Sequence, residues 1–447
     1  MKIFKIYLIS IVSVVYVSCT EPDVSSKVWE ETRLNADSTV RHGIPAYKSS
    51  NIDYKQDGKS VLKVRLEEPI IIGVATKPEK WGYFQFPSIS RKSDNSIIAK
   101  WNMNADAIEA YGNHQFGSAV STDEGKTWKS SKPEHSGGLL LPNGDRIEIS
   151  TPVPIKEENI HFPDSVGTGM DTYAKQPYKF YRLHELPQEC QGVLMNRLKK
   201  GETGWKVERS GLNDPQAARY TFRGLFPIVW WGDMHVLKDG SIMAGIYPGF
   251  YVADDGKADP KSGAFFYRSA DDGHSWNIQG RVRYIPDLVR DPKGNQRMGF
   301  TEPAFEVLSD GTFLCVLRTT DGLGIGPMYA SRSTDTGLTW TNPEIITPSG
   351  VLPRLLQLKN GITVLVSGRP GVQVRFSMDG QKWTDPFEML PYQNENDQVS
   401  CGYTELLPTG EDRFLVIYSD FRTINENNEI RKAIKVREIK VTKLQEK

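Results

Sequence analysis

Polar and charged residues recur about eight positions before or after six sharp turns in this sequence of 447 residues. They include one carboxylate beside two arginines and a tyrosine, groups that could handle protons, anions and a nucleophile. The residues selected by this spacing are Glu302, Arg318, Arg369, Tyr403, Asp233, Tyr247, Gln85 and Asn102. If the fold brings them together, they form a concave polar cluster with two fixed positive charges.

The turns that define this spacing each separate two apolar runs. They lie at Asp94, Asn143, Asp239, Asp310, Asn360 and Thr409. Asp-Gly or Asn-Gly between β-prone runs is the strongest short-range signal for a hairpin. The start of the first strand and the end of the second then meet at the end away from the turn. The polar residues should therefore gather on one rim.

A second repeat follows most of these hairpins. The octapeptide STDEGKTW (121–128) returns as SADDGHSW (269–276) and STDTGLTW (333–340), and a shortened copy, SMDGQKW, covers 377–383. Only the third-position aspartate persists, and one carboxylate per copy binds a metal poorly. An aspartate followed by glycine can instead close a turn by accepting backbone N–H bonds, with tryptophan as an apolar foot. The repeat therefore predicts turns.

Two hairpins per unit make four strands, and six such units predict an all-β fold, a six-bladed β-propeller over residues 66–440. A β-sandwich with extra modules is the alternative. The doubled interval between the turns at Asn143 and Asp239 contains no further hairpin signal of this type. We therefore expect an insertion at about 151–221 that covers one face. Residues 19–65 are expected to form a tether and a leading strand.

The N-terminal residues resemble an export signal. Lys2 and Lys5 precede an apolar stretch that is too short to span a bilayer, and Cys19 follows at the expected cleavage point. This predicts a lipoprotein signal peptide at 1–18 and lipidation of Cys19, with an ordinary secretory signal as the alternative. The expected location is the bacterial cell envelope, either periplasmic or at the outer surface, with the membrane as a partner through the lipid anchor.

Composition excludes several other classes of protein. The formal net charge is +0, so no basic surface for nucleic acid is indicated. Cys190, Cys315 and Cys401 stand apart from any CxxC spacing, and we expect buried thiols. No cluster of residues indicates a metal or an organic cofactor.

The octapeptides on a six-bladed propeller resemble the Asp boxes (BNR repeats) of the sialidase superfamily, over roughly residues 70–440. The resemblance implies that Tyr403 is a nucleophile, deprotonated by Glu302, that forms a covalent glycosyl intermediate. It also implies that Arg318 and Arg369 bind a substrate carboxylate by paired, charge-assisted hydrogen bonds. A phenol suits this task because a carboxylate nucleophile would be repelled by the substrate's own carboxylate.

Two positions depart from the family pattern. The first of three arginines is Gln85, in the motif Phe84-Gln85-Phe86-Pro87. Loss of one guanidinium would weaken carboxylate binding by about 1.5–3 kcal/mol. The family's acid/base aspartate, just before the first Asp box, has no counterpart in phase. His114 and Asp233 are the candidate proton donors.

These observations predict a glycoside hydrolase that removes a terminal acidic sugar from a glycan or oligosaccharide: sialic acid, a related keto-acid or a uronic acid. A uronate-directed polysaccharide lyase would use the same residue types. A glycan-binding lipoprotein without activity is favoured by the missing arginine and aspartate. A propeller that only binds protein partners gives no reason for the shared rim. The oligomeric state is not indicated.

Overall fold

The computed structural model of the protein describes residues 47–56, 59–107, 110, 112–172, 175–226, 231–319, 325–390, 392 and 398–444. Residues 1–18 and Cys19, the predicted signal and lipidation site, lie outside them. None of the helices in the described ranges has the length and apolar character needed to cross a membrane. The structure is built almost entirely from strands, so the predicted all-β class is confirmed.

The strands of the first half of the chain are β1 Ser50–Gln56, β2 Lys59–Leu66, β3 Ile70–Val74, β4 Tyr83–Arg91, β5 Ile97–Met103, β6 Phe116–Ser121, β7 Lys129–Ser130, β8 Leu139–Leu140, β9 Arg146–Ile149, β10 Ile155–Lys156, β11 Gly167–Asp171, β12 Gln176–Arg182, β13 Val193–Leu198, β14 Lys206–Asn213, β15 Ala217–Tyr220 and β16 Leu225–Phe226. Short 3-10 helices occur among the described residues at Glu157–Asn159, Leu183–Glu185, Gln188–Cys190 and Gly294–Gln296.

The strands of the second half are β17 Trp231–Val236, β18 Ile242–Tyr251, β19 Gly263–Ser269, β20 Ser275–Val282, β21 Phe300–Val307, β22 Phe313–Thr319, β23 Met328–Ser333, β24 Glu344–Thr347, β25 Val351–Gln357, β26 Thr363–Gly368, β27 Val372–Ser377, β28 Phe387–Leu390, β29 Thr404–Pro408, β30 Arg413–Ile424 and β31 Ile430–Lys443.

Three sheets contain four consecutive strands each: β4 to β7, β21 to β24, and β25 to β28. A larger sheet has the order β1-β2-β31-β30-β29, with β3 also paired to β31. The order β11-β12-β15-β18-β19-β20-β14-β13-β9-β8, with β17 paired to β18, describes the largest sheet. Its two halves join where β14 runs parallel to β20.

Hairpin turns follow the pattern that the sequence predicts. The side chain at the turn accepts a hydrogen bond from the backbone N–H two residues later, at Asp239, Asp310 and Asn360 alike. The next residue in each is a glycine with φ between 84° and 89°, where a Cβ atom would be strained. The two strands of each hairpin pair antiparallel from this fixed end.

The octapeptides also form turns. Asp335 accepts hydrogen bonds from the backbone and the hydroxyl of Thr339, and Ser333 Oγ accepts the Gly337 N–H. Trp340 closes the loop by donating to the Gly337 carbonyl over 3.0 Å. The copies at 121–128 and 269–276 repeat these serine and aspartate bonds. The aspartates are fully occupied in holding the backbone.

Apolar residues join the sheets face to face. One buried cluster links β25–β28 to β29–β31, another links β21–β23 to β18–β20, and a third links β4–β6 to β30 and β31. Cys190, Cys315 and Cys401 are buried thiols within this interior. As a result, the first strands of neighbouring sheets contact one another: β21 contacts β25, β25 contacts β29, and β29 contacts β4.

The segment predicted as an insertion has two parts. Residues 176–182 and 217–220 extend the sheet beyond the end of β18 through β12 and β15, while β10 and β16 form a separate two-stranded sheet. Between them, β13 and β14 pair with β9 and with each other, because their alternating apolar residues fill the core beside Trp276. The region 19–65 likewise contributes β1 and β2, two strands rather than one, to the sheet edge beside β31.

Candidate active site

The site begins with a strained backbone at the start of β21. The ladder between β21 and β22 is interrupted between Thr301 and Ala304, and Glu302 within this bulge has φ of 47°. A non-glycine residue rarely adopts this conformation, and such strain is concentrated at functional sites. The bulge turns the Glu302 side chain away from the alternating pattern of the strand.

The same bulge occurs in two other first strands. Phe86 in β4 and Leu352 in β25 have φ of 50° and 39°, and each precedes a proline, as Glu302 does. All three lie eight residues before their hairpin turns. Leu352 donates its backbone N–H to Glu302 Oε2 over 3.0 Å, so one bulge holds the side chain presented by another.

The Tyr403 phenol donates a hydrogen bond to Glu302 Oε1. Arg318 Nη1 lies 2.7 Å from Glu302 Oε2 and 3.0 Å from the Tyr403 oxygen. The Glu302 side chain is only 5% exposed, whereas that of Arg318 is 12% exposed and Tyr403 is half-buried. The structure therefore brings together a carboxylate, a phenol and a guanidinium from distant parts of the chain.

The charges in this triad set its ionisation. Burial acts to raise the pKa of Glu302, but the charge and hydrogen bond of Arg318, aided by Tyr403 and Arg369, leave that pKa below its usual value. Burial first, and then the negative charge of Glu302, raise the pKa of Tyr403 far above that of a free phenol. At neutral pH the phenol thus keeps its proton and points it at an ionised carboxylate.

Arg369 lies on the other side of the phenol. Its guanidinium carbon is 5.7 Å from the centre of the Tyr403 ring and 5.4 Å from the Trp81 ring, and its Nε donates to the Cys401 carbonyl over 2.9 Å. Phe86 packs edge-on against Tyr403 at 5.0 Å between ring centres. The phenol is therefore enclosed by a cation on one side and an aromatic wall on another.

Gln85 and Asn102 are placed differently from these residues. They are paired across β4 and β5 and are almost fully buried. Gln85 accepts the Gly82 N–H, while Asn102 donates to the Gly82 and Asn104 carbonyls. Their side chains hold the Gly82 loop from inside, and their predicted contact with substrate stays a prediction.

His114 lies on the segment between β5 and β6, half-buried beside Phe116. Burial lowers its pKa, and the nearby charge of Asp106 acts in the opposite direction. Asp106 is exposed and accepts a hydrogen bond from Trp81 Nε1 over 2.9 Å. Because Trp81 also contacts Arg369, Asp106 is linked to the triad through Trp81 and Arg369. Asp106 is out of phase with the sequence pattern, and only the fold connects it to the site.

Asp233 belongs to a second group of charged residues, which we call the floor: Asp233, Arg354 and Glu405. Tyr247 lies beside this group. Arg354 Nη1 is 3.3 Å from Asp233 Oδ1, and its Nη2 is 3.1 Å from Glu405 Oε2. The other Asp233 oxygen accepts the Phe305 N–H. Tyr247 interacts electrostatically with Arg354. Both oxygens of Asp233 are thus bound to protein groups, and its predicted role as a proton donor stays a prediction.

Arg354 and Glu405 were missed because the sequence search considered only positions about eight residues from the turns. Two signals could have revealed them. Arg354 follows the Leu352-Pro353 step that repeats Glu302-Pro303, and Glu405 lies two residues after Tyr403, on the same face of an extended chain. Among the described residues, no group of three or more His, Cys, Asp or Glu side chains is placed to hold a metal ion.

The comparisons with known proteins agree with this fold. Residues 214–415 match the family model of the BNR repeat-like domain. A structure from Dyadobacter fermentans, of unknown function, is similar with a TM-score of 0.54 and 16% identity, covering 85% of this chain and 99% of that one. A search of curated proteins found no match.

Two hydrolase structures are also similar at lower scores. A Hadza microbial sialidase has a TM-score of 0.44 and 15% identity, covering 80% of this chain but only 65% of that one. An α-L-arabinanase from Penicillium chrysogenum has a TM-score of 0.45 and 16% identity, covering 83% of this chain and 98% of that one. The match over residues 214–415 confirms the predicted resemblance to BNR repeat proteins for that part of the chain, and activity must be argued from the site.

Proposed function

We propose that the protein is an exported, lipid-anchored glycoside hydrolase that removes a terminal acidic sugar, either sialic acid or a related keto-acid or uronic acid, from glycans. The single observation that carries the proposal is the hydrogen-bonded triad of Tyr403, Glu302 and Arg318, with Arg369 beside the same phenol. A phenol paired with a carboxylate base and flanked by two guanidinium groups fits attack on a sugar that carries its own negative charge.

The proposal includes closure of the sheets into a six-bladed propeller. Six sets of four paired strands support it: β4–β7; β8, β9, β13 and β14; β17–β20; β21–β24; β25–β28; and β29–β31 with β3. Apolar clusters join consecutive sets, and the Gly137 N–H donates to Ser90 Oγ between the first two. In the last set β3, near the start of the described chain, pairs with β31 near its end and would close the ring, and the octapeptide turns would be its Asp boxes.

In the proposed first step, Tyr403 transfers its proton to Glu302 as its oxygen bonds to the anomeric carbon. The bond from that carbon to the leaving-group oxygen breaks, and this oxygen takes a proton from His114. Water then attacks the anomeric carbon and gives its proton back to His114. The displaced Tyr403 oxygen recovers its proton from Glu302, which restores the starting state.

The substrate carboxylate would lie between Arg318 and Arg369. Arg318 Nη1 is bound to Glu302 and Tyr403, so the same guanidinium would hold the reacting pair and the substrate carboxylate. Gln85 supplies no positive charge where related enzymes have an arginine, and it is buried beneath Gly82. We therefore expect weaker carboxylate binding than a three-arginine site gives.

The test is turnover by the mature protein of an aryl sialoside and of uronate-containing oligosaccharides, compared with the Glu302→Gln variant. The proposal expects release of the terminal sugar by the wild type and loss of release in the variant. Products that absorb in the near ultraviolet would instead identify a lyase, because elimination creates a conjugated double bond. Binding without turnover of any substrate would select the glycan-binding function and reject the hydrolase.

A further inference from the structure

The floor connects four strands, three of them through Arg354 and the fourth through Asp233. Arg354, on β25, contacts Asp233 on β17, and on β29 it contacts both Glu405 and the Thr404 carbonyl, the latter from Nε at 3.3 Å. Asp233 in turn accepts the N–H of Phe305 on β21. The Arg354 guanidinium thus links β29, which begins directly after Tyr403, to β17 and β25.

The position of Arg354 couples it to both members of the reacting pair. Thr404 directly follows Tyr403, so the Arg354 contact with its carbonyl anchors the chain one residue beyond the phenol. Two residues before Arg354, the backbone N–H of Leu352 holds Glu302 Oε2. The same short segment of β25 therefore sets the positions of the proton donor and the proton acceptor.

We propose that Arg354 is a positioning residue that fixes the geometry and the ionisation of the Tyr403–Glu302 pair. The inference rests on the proposed function for its kinetic consequences only. Arg354 acts through the Thr404 carbonyl and through its charge, and all three of its nitrogens are bound to protein groups. It is therefore distinct from Arg318 and Arg369, which face the substrate in the proposed reaction.

The charge argument concerns Glu302. This carboxylate faces Arg318 from β22, Tyr403 from the start of β29, Arg369 from the end of β26, and Arg354 from β25. Asp233 and Glu405 supply two negative charges to the floor against the single positive charge of Arg354. Arg354 interacts electrostatically with Glu302, so removal of its positive charge raises the proton affinity of Glu302.

The kinetic test compares Arg354→Gln with Arg354→Lys. We expect Arg354→Gln to lower kcat about 10- to 100-fold with little change in KM, because the phenol is misplaced but the carboxylate clamp is intact. The acidic limb of the kcat/KM profile should move to higher pH, because Glu302 must be ionised to act. Arg354→Lys keeps the charge and should restore the position of that limb.

Arg281→Gln is the matched control. Arg281 lies 2.6 Å from the buried carboxylate of Asp214, in a different sheet from Glu302 and Arg318, so its loss also strands a carboxylate. It should lower the melting temperature as Arg354→Gln does but leave the pH profile unchanged. Equal pH profiles for wild type and folded Arg354→Gln, with equal kcat, would overturn the inference.

A second readout does not need activity. The pKa of Glu302 can be measured by carbon NMR of glutamate side-chain carboxyl groups, with the signal assigned by its absence in Glu302→Gln. A higher pKa in Arg354→Gln than in wild type, and an unchanged one in Arg354→Lys and Arg281→Gln, is expected. If the wild type cleaves no glycoside, the proposed function fails while this measurement still decides the role of Arg354. An unchanged pKa in Arg354→Gln rejects it.

Discussion

The octapeptide turns and the triad use the same carboxylate chemistry over very different distances along the chain. Asp335 is held by Thr339, four residues away, whereas Glu302 is bound to Tyr403 across 101 residues. A turn of the first kind forms wherever its eight residues occur. The triad exists only after several sheets have packed against one another. Changes in the turns should therefore affect stability, and changes in the triad should affect activity.

Tyr403→Phe should have the largest effect on activity and so tests the comparison most severely. Loss of the phenolic oxygen removes the proposed nucleophile, and we expect kcat/KM to fall about 10³-fold or more. The folded structure should persist, because the ring still packs against Phe86. Hydrolysis of an aryl glycoside of the substrate sugar measures the fall in kcat/KM, and thermal unfolding measures whether the fold persists.

Tyr329→Phe provides the control for a lost phenol. The Tyr329 oxygen accepts a hydrogen bond from the Asp287 N–H, so its removal costs a structural contact away from the triad. It should lower stability modestly and leave kcat unchanged. Comparable losses of activity in both variants would show that the triad has no special role.

Arg369→Lys should have an intermediate effect. Lysine keeps the positive charge but cannot present two N–H donors in one plane to a carboxylate. We expect KM for an acidic substrate to rise about tenfold, which corresponds to about 1.4 kcal/mol. Arg332→Lys is the control, because Arg332 also binds a carboxylate and a backbone carbonyl, those of Glu344 and Gly380. A neutral substrate analogue should not distinguish the Arg369 variant from wild type.

The sequence was sufficient to predict the all-β class, the hairpin turns and the octapeptide turns, because each depends on residues close together in the chain. It also identified Glu302, Arg318, Arg369 and Tyr403, since distance from a hairpin turn converts sequence position into a place along the strand. The β13–β14 hairpin was missed because its turn, at about 199–205, contains Gly201 and Gly204 but no Asp-Gly pair.

The floor could not be predicted by the same rule. Arg354 reaches Asp233 across 121 residues, and this contact depends on how three strands face one another. Gln85 shows a second limit of the rule: its distance from the turn matches the pattern, but the rule did not predict that its side chain accepts the Gly82 N–H. The distance of a residue from the turn predicts its position along the strand. It does not give the direction of a side chain within a β-bulge.

The pH dependence of activity should sharpen the contrast further. Glu302 must be ionised, and its pKa lies below the usual 4.5, because Arg318 outweighs the effect of burial. If His114 is the proton donor it must be protonated, and burial holds its pKa below the usual 6.5. We expect kcat/KM to be greatest between the pKa of Glu302 and the pKa of His114, on the acidic side of neutrality. In His114→Gln the fall of kcat/KM at alkaline pH should disappear. An unchanged fall at alkaline pH would mean that another residue is the proton donor.

Asp335→Asn should have the smallest effect and tests the other half of the comparison. Hydrogen bonds from Thr339 and Ser333 lower the Asp335 pKa to about 2. The contribution of the ionised Asp335 carboxylate to the stability of the fold is therefore complete at pH values above the unfolded-state pKa near 3.8. It is lost as the pH falls toward 2. The variant should melt a few degrees lower at pH 7, with kcat and KM unchanged, and the difference from wild type should shrink in acid. The exposed Asp254→Asn controls for charge alone. A loss of activity in Asp335→Asn without a fall in melting temperature would mean that turn and pocket are coupled through the sheet, and that the two regions are not independent.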